Sequence, residues 1–295
     1  QLSFFLIFFI LIFFIIEKIS RSRSRFNIPS RGYRSLEKIN LQGRKKWFAF
    51  YALLILFFVS FIFPISQMIF WIIKFPSNFD LSNILALTMN TMLLVVSTTL
   101  ILILLSFITN YGMRISESKT LNIITNFSIS GYAIPGIILA LTLLSFISFV
   151  SSYFNNESIK VLFIGTVFGL VLAYCVRFYS LAINGIKTGY DKLNKSLDDV
   201  SYLMGNSKLG TFLQVHFPFL KQNLILISML VSIDILKELP LTLILRPYNF
   251  ETFATKAYVF ASQDMLEYTA GPSLFLIFFA SLIILISRKN ILKGF

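Results

Sequence analysis

Three ionisable residues lie close together in an otherwise apolar stretch. Asp234, Lys237 and Glu238 fall within residues 219–245, which are numerous and apolar enough to cross a membrane as a helix. An unpaired charge at the bilayer centre costs about 2.5–3.5 kcal/mol, so such groups must be paired or hydrated. On a helix Asp234 would face both Lys237 and Glu238, which predicts ion pairing toward the bundle interior. Pro240 is expected to end or bend this helix near the outer half of the membrane.

This charged group has two interpretations. We favour a lining for a solute path or an outer gate, because charges buried in membranes are usually functional; the alternative is a purely structural pair.

A second marker of a path or gate is Gly131-Tyr132-Ala133-Ile134-Pro135-Gly136, where Pro135 removes a backbone donor and predicts a kinked or broken helix. A kink that serves only helix packing is the alternative there.

A polar island between two apolar segments could interact with another protein. It comprises Leu197-Asp198-Asp199-Val200-Ser201, then Gly205, then Val215-His216-Phe217-Pro218. The pattern predicts a short acidic helix over 198–206, a glycine turn and a return to the membrane at Pro218. Asp198 and Asp199 would lie in the first turn, where acidic groups favour the helix dipole and could meet basic residues of a partner. We expect His216 to start a helix at the membrane interface and not to act as a ligand or a proton relay.

Composition predicts which elements position these residues. With 56% hydrophobic residues, 13% charged residues and a mean hydropathy of +0.79, the chain is excluded from the soluble class and predicted to be an all-α, polytopic bundle. Six spans are predicted, at 47–72, 86–109, 121–150, 161–183, 219–245 and 271–287. A seventh apolar segment, 2–16, is slightly short for a span.

The domain organisation follows from these segments and the basic stretch between them. We expect segment 1–16 to be retained as the tail of a longer transmembrane span, because it lacks the basic start and the cleavage site of a signal peptide. Residues 17–46 are interpreted as a basic cytoplasmic linker. Residues 47–290 are expected to form a six-span domain with a cytoplasmic loop at 184–221.

The distribution of Lys and Arg predicts orientation. Of 26 such residues, twenty fall on one side: ten in 17–46, two in 110–120, five in 184–221 and three in the tail. Only four fall on the other side, so the loop at 184–221 is expected to be cytoplasmic. The net charge of +13 then fits neighbouring anionic headgroups of the lipid bilayer, and nucleic-acid binding is not expected.

Several kinds of chemistry are excluded by residue type. The sequence has no glycine-rich ATP-binding loop followed by Lys and Ser or Thr. One His and one Cys cannot build a histidine cluster, a disulfide framework or a thiolate metal site. We therefore expect no enzyme activity, no metal site and no permanently bound cofactor, and any ATP would be hydrolysed by another chain.

Three motifs resemble the permeases of ABC importers. The spacing of Asp199-Val200-Ser201, Gly205 and Val215-His216-Phe217-Pro218 is similar to their cytoplasmic E-A-A loop, with Asp199-Val200-Ser201 in place of E-A-A. The run Gly131–Gly136 and the pattern K-E-L-P followed by L-R-P-Y-N-F-E-T, residues 237–252, resemble the ferric-iron permeases of that superfamily. The resemblance covers about residues 45–290 and corresponds to the C-terminal half of the usual fused permease. It implies that residues 17–46 are the cytoplasmic linker between the halves and that residues 1–16 are the last span of the preceding half.

This resemblance implies a fold, an activity and partners. It implies a type I ABC importer permease in a bacterial plasma (inner) membrane, which alternates its access while a periplasmic binding protein delivers Fe(III). Two ATPase subunits would each grip one permease half through the short helix, and a second half would complete the path. Candidate coupling residues are Asp198, Asp199, Val200, Ser201, Gly205 and Pro218, and candidate path or gate residues are Pro135, Asp234, Lys237, Glu238 and Pro240.

Other functions remain open from the sequence. A permease for thiamine, a polyamine, sulfate or molybdate would share the loop, and a secondary transporter driven by an ion gradient would share the charges within spans. A structural membrane subunit without its own path is a third alternative. The outer loop that contains Arg246 and Glu251 is a further candidate for docking the delivery protein.

Overall fold

A computed structural model describes residues 41–76, 80–116, 119–128 and 134–292, together with 12, 16, 131 and 132. These residues contain helices and no strand, as the all-α prediction requires. The predicted span at 1–16 and most of the predicted linker at 17–46 lie outside the described residues. The chain divides into two compact units, 1–74 and 75–295, each of which is treated separately below.

In the described part of the first unit there is one long helix, α1, Arg44–Lys74. The described residues of the second unit form ten further helices, and several of the turns that join them are short. They are α2 Leu81–Ser116, α3 Lys119–Ser128, α4 Gly136–Tyr153, α5 Glu157–Phe163, α6 Val167–Tyr190, α7 Ser196–Leu203, α8 Lys208–Leu236, α9 Pro240–Leu245, α10 Phe253–Ser262 and α11 Ala270–Leu292.

Six helical segments of the described residues are long and apolar enough to cross a membrane, which agrees with the six predicted core spans. They are α1, α2, α4, α6, α8 and the segment Leu266–Ser287, in which a 3₁₀ turn leads into α11. The predicted span 121–150 is wrong as one element, because α3 ends at Ser128 and α4 begins at Gly136. The break predicted at 131–136 is the reason.

Two prolines lie in long helices beyond the first turn, and a π-helical turn precedes each of them. In α1 the π turn Phe58–Ile62 comes before Pro64, and in α8 the π turn Phe212–His216 comes before Pro218. A proline ring clashes with the carbonyl one turn earlier and removes a backbone donor. The wider π turn accommodates both effects, so the helix continues through the proline. Helix α8 therefore begins at Lys208, well before the predicted start at 219.

The core of the second unit lies where α2, α6 and α8 pack together. Leu102 of α2, Leu170 and Ile186 of α6, and Val231 of α8 have 0% exposure. Burial of each large aliphatic side chain is worth about 1.5–3 kcal/mol in a water-soluble core. Within lipid that driving force is weaker, and close packing together with interhelical hydrogen bonds contributes more.

Close packing here depends on small residues and buried amides. A Cβ atom at Gly185 would lie 2.3 Å from Ile227 Cδ1, so the glycine lets α8 approach the α6 backbone. Asn223 Nδ2 of α8 donates to Gly185 O at 3.0 Å, and Asn110 Nδ2 of α2 donates to Ile183 O at 3.1 Å. These contacts hold the last part of α6 against the middle of α8 and against α2 near its C-terminal end.

Candidate functional site

The short acidic helix of the polar island is α7, Ser196–Leu203, so the prediction of a helix there is confirmed. Helix α7 starts two residues and ends three residues earlier than the predicted range 198–206. Gly205 follows with a φ of +85°. Gly205 N donates to Tyr202 O at 3.0 Å, and Asn206 N donates to Ser201 O at 3.1 Å. This pair of bonds is a Schellman motif, which needs a left-handed residue at the glycine position. Gly205 therefore ends α7 and turns the chain toward α8.

Asp198 points toward the membrane-spanning helices. Its Oδ2 accepts a hydrogen bond from Arg114 Nε at 2.6 Å, and its Oδ1 accepts one from Arg114 Nη2 at 3.2 Å. His216 Nε2 lies 2.9 Å from the same Oδ1. The expectation that Asp198 would meet basic residues of a partner is therefore not supported by this arrangement, because both carboxylate oxygens already have partners within the chain.

Arg114, in the last turn of α2, also binds the end of α6. Its Nη1 donates to Leu193 O at 3.0 Å and approaches Tyr190 O at 3.4 Å, while Nη2 donates to Asn194 O at 3.0 Å. The guanidinium thus bonds the carboxylate of α7 and three backbone carbonyls at or just after the C-terminus of α6. Cations are favourable near the carbonyl end of a helix, which adds to these bonds.

His216 is fully buried, with 0% exposure. It belongs to the π turn of α8, and its ring lies edge-on to the rings of Tyr111, at 5.1 Å, and Tyr190, at 5.5 Å. The prediction that a helix starts at His216 was wrong, because α8 is continuous from Lys208 and places His216 more than two turns inside. The π turn that accommodates Pro218 also directs this ring toward Asp198.

The hydrogen bonds of Asp198 lower its pKa. Burial alone would raise the pKa of the carboxyl, but the bonds from Arg114 and His216 outweigh that effect. Asp198 is therefore ionised at neutral pH, and the Arg114 pair is a true charge-assisted contact.

The two faces of α7 differ in polarity and burial. On the inner face Ser201 is 3% exposed and its Oγ lies 2.8 Å from Thr211 Oγ1 of α8. On the outer face Leu203 is 87% exposed, Met204 is 78% exposed, and Val200 is also exposed. Asp199, which aligns with E of the E-A-A pattern, is exposed too. A positioned helix thus presents apolar side chains to its surroundings.

The second candidate group lies where α8 ends. Lys237 Nζ lies 2.8 Å from Asp234 Oδ1, and Tyr132 Oη donates to Asp234 Oδ2 at 3.3 Å. The predicted pair of Asp234 with Lys237 is confirmed, but its predicted direction into the bundle interior was wrong, because the Lys237 side chain is 63% exposed. Glu238 does not share a helical face with Asp234 as expected, because the helix ends at Leu236 and Glu238 turns away.

Glu238 pairs instead with Arg177 of α6. Arg177 Nε lies 3.3 Å from Glu238 Oε2, and the two side chains are 18% and 7% exposed. The groups are close enough for an ion pair but are not aligned for a hydrogen bond, and Arg177 Nε and Nη1 have no acceptor among the described residues. The four charges of Arg177, Asp234, Lys237 and Glu238 balance, which permits them to lie at membrane depth.

Gly136 makes space for this ion pair. A Cβ atom there would lie 2.2 Å from Arg177 Nη1 and 3.1 Å from Glu238 Oε1. At Gly131 a Cβ would lie 2.6 Å from Val176 O. Both glycines of the run 131–136 therefore allow close approach to α6, and Pro135 between them is the N-cap residue of α4.

Pro240 does not end α8. The helix already ends at Leu236, and Pro240 occupies the first turn of α9, where a missing N–H costs nothing. Glu238 Oε1 accepts a hydrogen bond from Leu241 N at 3.2 Å, and Thr242 Oγ1 donates to Glu238 O at 3.0 Å. Glu238 thus caps the start of α9 and also lies within ion-pair distance of Arg177.

The outer loop after α9 forms a compact corner. Glu251 binds Lys256 Nζ at 2.8 Å and Arg246 Nη1 at 3.3 Å. Asn249 has a φ of +59° in the turn closed by Phe250 N and Pro247 O, and Tyr248 at its tip is 96% exposed. Arg246 and Glu251 are therefore paired with each other within the chain. Tyr248 is the residue of this corner most available to a partner.

Sequence reasoning missed three residues of these groups. Arg114 and Arg177 were counted only as charges on a loop or within a span, and His216 was assigned to the interface. The signal for Arg177 was present: a lone Arg in an apolar segment needs a buried counter-charge, and Glu238 was the carboxylate without a fixed partner. No comparable signal identified Arg114, because a basic residue at a span end is ordinary.

The described residues contain no group of three or more His, Cys, Asp or Glu side chains placed to hold a metal ion. The carboxylates of the charged group are instead occupied by Arg177 and Lys237.

Comparisons with known proteins agree with this architecture. No protein-family model matches the chain. Over 162 residues, 55% of the chain, it is 21% identical to the "Fe(3+)-transport system permease protein FbpB 2" of Haemophilus influenzae, and the match spans only 30% of that relative.

Solved structures match over more of the chain. One is a crystal structure of a bacterial ABC transporter involved in the import of the acidic polysaccharide alginate, with a TM-score of 0.62, 14% identity, and coverage of 83% of this chain and 95% of that one. Another is the bacterial alginate ABC transporter in complex with an alginate pentasaccharide-bound periplasmic protein, with a TM-score of 0.59 and 14% identity over 82% and 93%. The chain therefore has the all-α fold of an ABC importer permease.

Proposed function

We propose that this chain is a membrane-spanning permease subunit of an ATP-driven ABC importer in a bacterial plasma membrane. The observation that carries the proposal is α7, a short helix fixed to the spans on its inner face and apolar on its outer face. Exposed apolar groups on a positioned helix suit docking of another protein. In this proposal the partner is an ATPase subunit on the cytoplasmic side, and the chain itself hydrolyses nothing.

The charged break between α8 and α9 supports a path through the chain. Lys237 has a side chain 63% exposed although its neighbours belong to membrane-spanning elements. A charged group there cannot face hydrocarbon without a large cost, so it faces a hydrated path or a second permease half. Asp234, Lys237, Glu238 and Pro135 are accordingly proposed to line or gate that path.

Fe(III) is our proposed cargo. The support is the K-E-L-P and L-R-P-Y-N-F-E-T pattern and the partial match to a relative named as an Fe(3+) permease. A periplasmic binding protein would hold the ion and set the specificity, and the permease would bind it only in passing. A second permease half and two ATPase subunits would complete the importer.

The test uses the assembled importer: this chain, its second half and its ATPase subunits in vesicles. The measurement is ATP-dependent uptake of radiolabelled Fe(III) in the presence of the binding protein. Leu203→Asp places a carboxylate on the proposed docking face, and Lys192→Asp places one on an exposed residue of the preceding turn as a matched control. We expect about a tenfold loss of uptake for Leu203→Asp, as for a central interface residue, and none for the control.

The outcomes separate the parts of the proposal. Uptake of thiamine or a polyamine in place of iron would keep the importer and reject the cargo. Equal uptake by Leu203→Asp and wild type would reject α7 as the docking element. Uptake driven by an ion gradient without ATP would replace the importer by a secondary transporter.

A further inference from the structure

We propose that Asp198, Arg114 and His216 form a lock that fixes α7 to three membrane-spanning helices and transmits the movement of α7 to them. The inference rests on the proposed function, since it assigns positioning residues to the coupling step. It differs from the E-A-A resemblance, which directs attention to Asp199.

Three elements meet at one carboxylate, and a fourth is joined to them through Arg114. Asp198 belongs to α7, Arg114 to the last turn of α2 and His216 to the π turn of α8. Arg114 also bonds the carbonyls of Leu193 and Asn194, just after α6. A displacement of α7 therefore pulls on α2, α6 and α8 together.

The chemistry of the lock favours stiffness. Asp198 and Arg114 have side chains only 14% and 9% exposed, and their shortest contact is 2.6 Å. Hydrogen bonds between ionised groups are shorter and about twice as strong as neutral ones. The planar guanidinium fork fixes direction as well as distance, which a single ammonium group cannot do.

The second attachment of α7 makes it a rigid lever. At its far end Ser201 bonds Thr211, and Asn206 Nδ2 donates to Ser201 Oγ at 3.2 Å. Both attachments are on the inner face, so the outer face with Leu203 and Met204 stays available for an ATPase. A helix held at two points moves as a body, whereas a loop held at one would bend.

The experiment compares Asp198→Asn with Asp191→Asn in the assembled importer. Asp191 is an exposed carboxylate at the end of α6 and serves as the matched control. Two quantities are measured: amide hydrogen exchange of residues 196–203, and solute taken up per ATP hydrolysed. Co-purification of the ATPase subunits monitors assembly.

For Asp198→Asn we expect about tenfold faster exchange in α7, because a charge-assisted bond to Arg114 is lost. Uptake per ATP should fall about tenfold while the ATPase still co-purifies and hydrolyses ATP. Asp191→Asn should match wild type in both quantities. Arg114→Lys, which keeps the charge and loses the fork, should behave like Asp198→Asn.

The lock is rejected if Asp198→Asn and Arg114→Lys keep wild-type exchange in α7 and wild-type uptake per ATP. Should Asp198→Asn fail to assemble, Arg114→Lys and Asp198→Glu, which retains the negative charge, decide the matter by the same two measurements. Absence of ATP-dependent uptake in wild type would instead reject the proposed function, and hydrogen exchange would still report whether the lock holds α7.

Discussion

Arg177 of α6 and Glu238, in the break between α8 and α9, form an ion pair with Nε and Oε2 3.3 Å apart. The pair connects two separate parts of the bundle at membrane depth. Because Glu238 also caps the start of α9, the carboxylate fixes the geometry of the break. Arg177 and Glu238 thus depend on each other for charge balance, and a substitution of either one alone leaves the other without its counter-charge.

Removing one partner of this pair should destabilise the protein more than removing both. Glu238→Gln leaves Arg177 buried without its counter-charge, and Arg177→Met leaves Glu238 buried without its own. Each variant should lower the free energy of unfolding by about 3 kcal/mol. The double variant should cost clearly less than the sum. Unfolding in detergent, analysed as a double-mutant cycle, measures the coupling. Additive single effects would show that the two side chains do not interact.

Gly136→Ala should displace the ion pair through its shape alone. The added methyl group would lie 2.2 Å from Arg177 Nη1 and 3.1 Å from Glu238 Oε1, so both members of the ion pair would have to shift. We expect a loss of about 1–3 kcal/mol in unfolding free energy, typical of overpacking. Gly112→Ala is the control, because its Cβ would meet Leu121 Cδ2 at an ordinary 3.8 Å. Equal stability of the two variants would contradict the role assigned to Gly136.

The helical class and the number of spans could be predicted from the sequence, because apolar length decides them in a membrane protein. Pattern reasoning also found α7, its Gly205 turn and the break before α4. Pattern reasoning failed where an ion pair joins residues that are distant in the sequence. Glu238 lies next to Lys237 in the chain, yet its counter-charge is Arg177 on α6. Local spacing cannot reveal which of two nearby cations a carboxylate will reach.

The sequence also could not predict that the Asp198 side chain points toward the membrane-spanning helices. Asp198 and Asp199 are adjacent and identical in chemistry, and only the helical phase relative to Arg114 and His216 separates them. That phase depends on the π turn Phe212–His216, which the sequence signals only weakly through Pro218. Recognising that a proline inside a long span requires a wider turn would have moved His216 from the interface into the helix.

Gly205→Ala should loosen the end of α7, because φ at this position is +85° and a Cβ there strains the backbone. The expected cost is about 1–2 kcal/mol, with a smaller cost for Gly205→Asn, since Asn tolerates left-handed conformations better. Hydrogen exchange at the amides of Gly205 and Asn206 reports the two bonds of the motif. Gly210→Ala, with ordinary contacts of 3.5 Å, is the control and should leave that exchange unchanged.

The outer corner should loosen in acid, and Glu251 should be responsible. Burial raises the pKa of its carboxyl, but the bonds from Lys256 and Arg246 outweigh burial and hold the pKa below its usual range. A lowered folded pKa means that this pairing contributes its full stability above the unfolded value of about 4.3 and loses it as pH falls through the folded value. The corner should therefore be unchanged from neutral pH down to about 4.3 and become mobile below that.

A spin label at the tip of this corner measures the effect. Tyr248→Cys places the label on the 96% exposed tip, in a Cys175→Ala background that removes the other thiol. Label mobility should rise on acidification, and Glu251→Gln should give high mobility at every pH because an amide cannot hold both cations by charge. Glu267→Gln, on the same outer side, should keep the pH response. A pH response that persists in Glu251→Gln would assign the acid sensitivity to another group and leave the corner without the role given to its ion pairs.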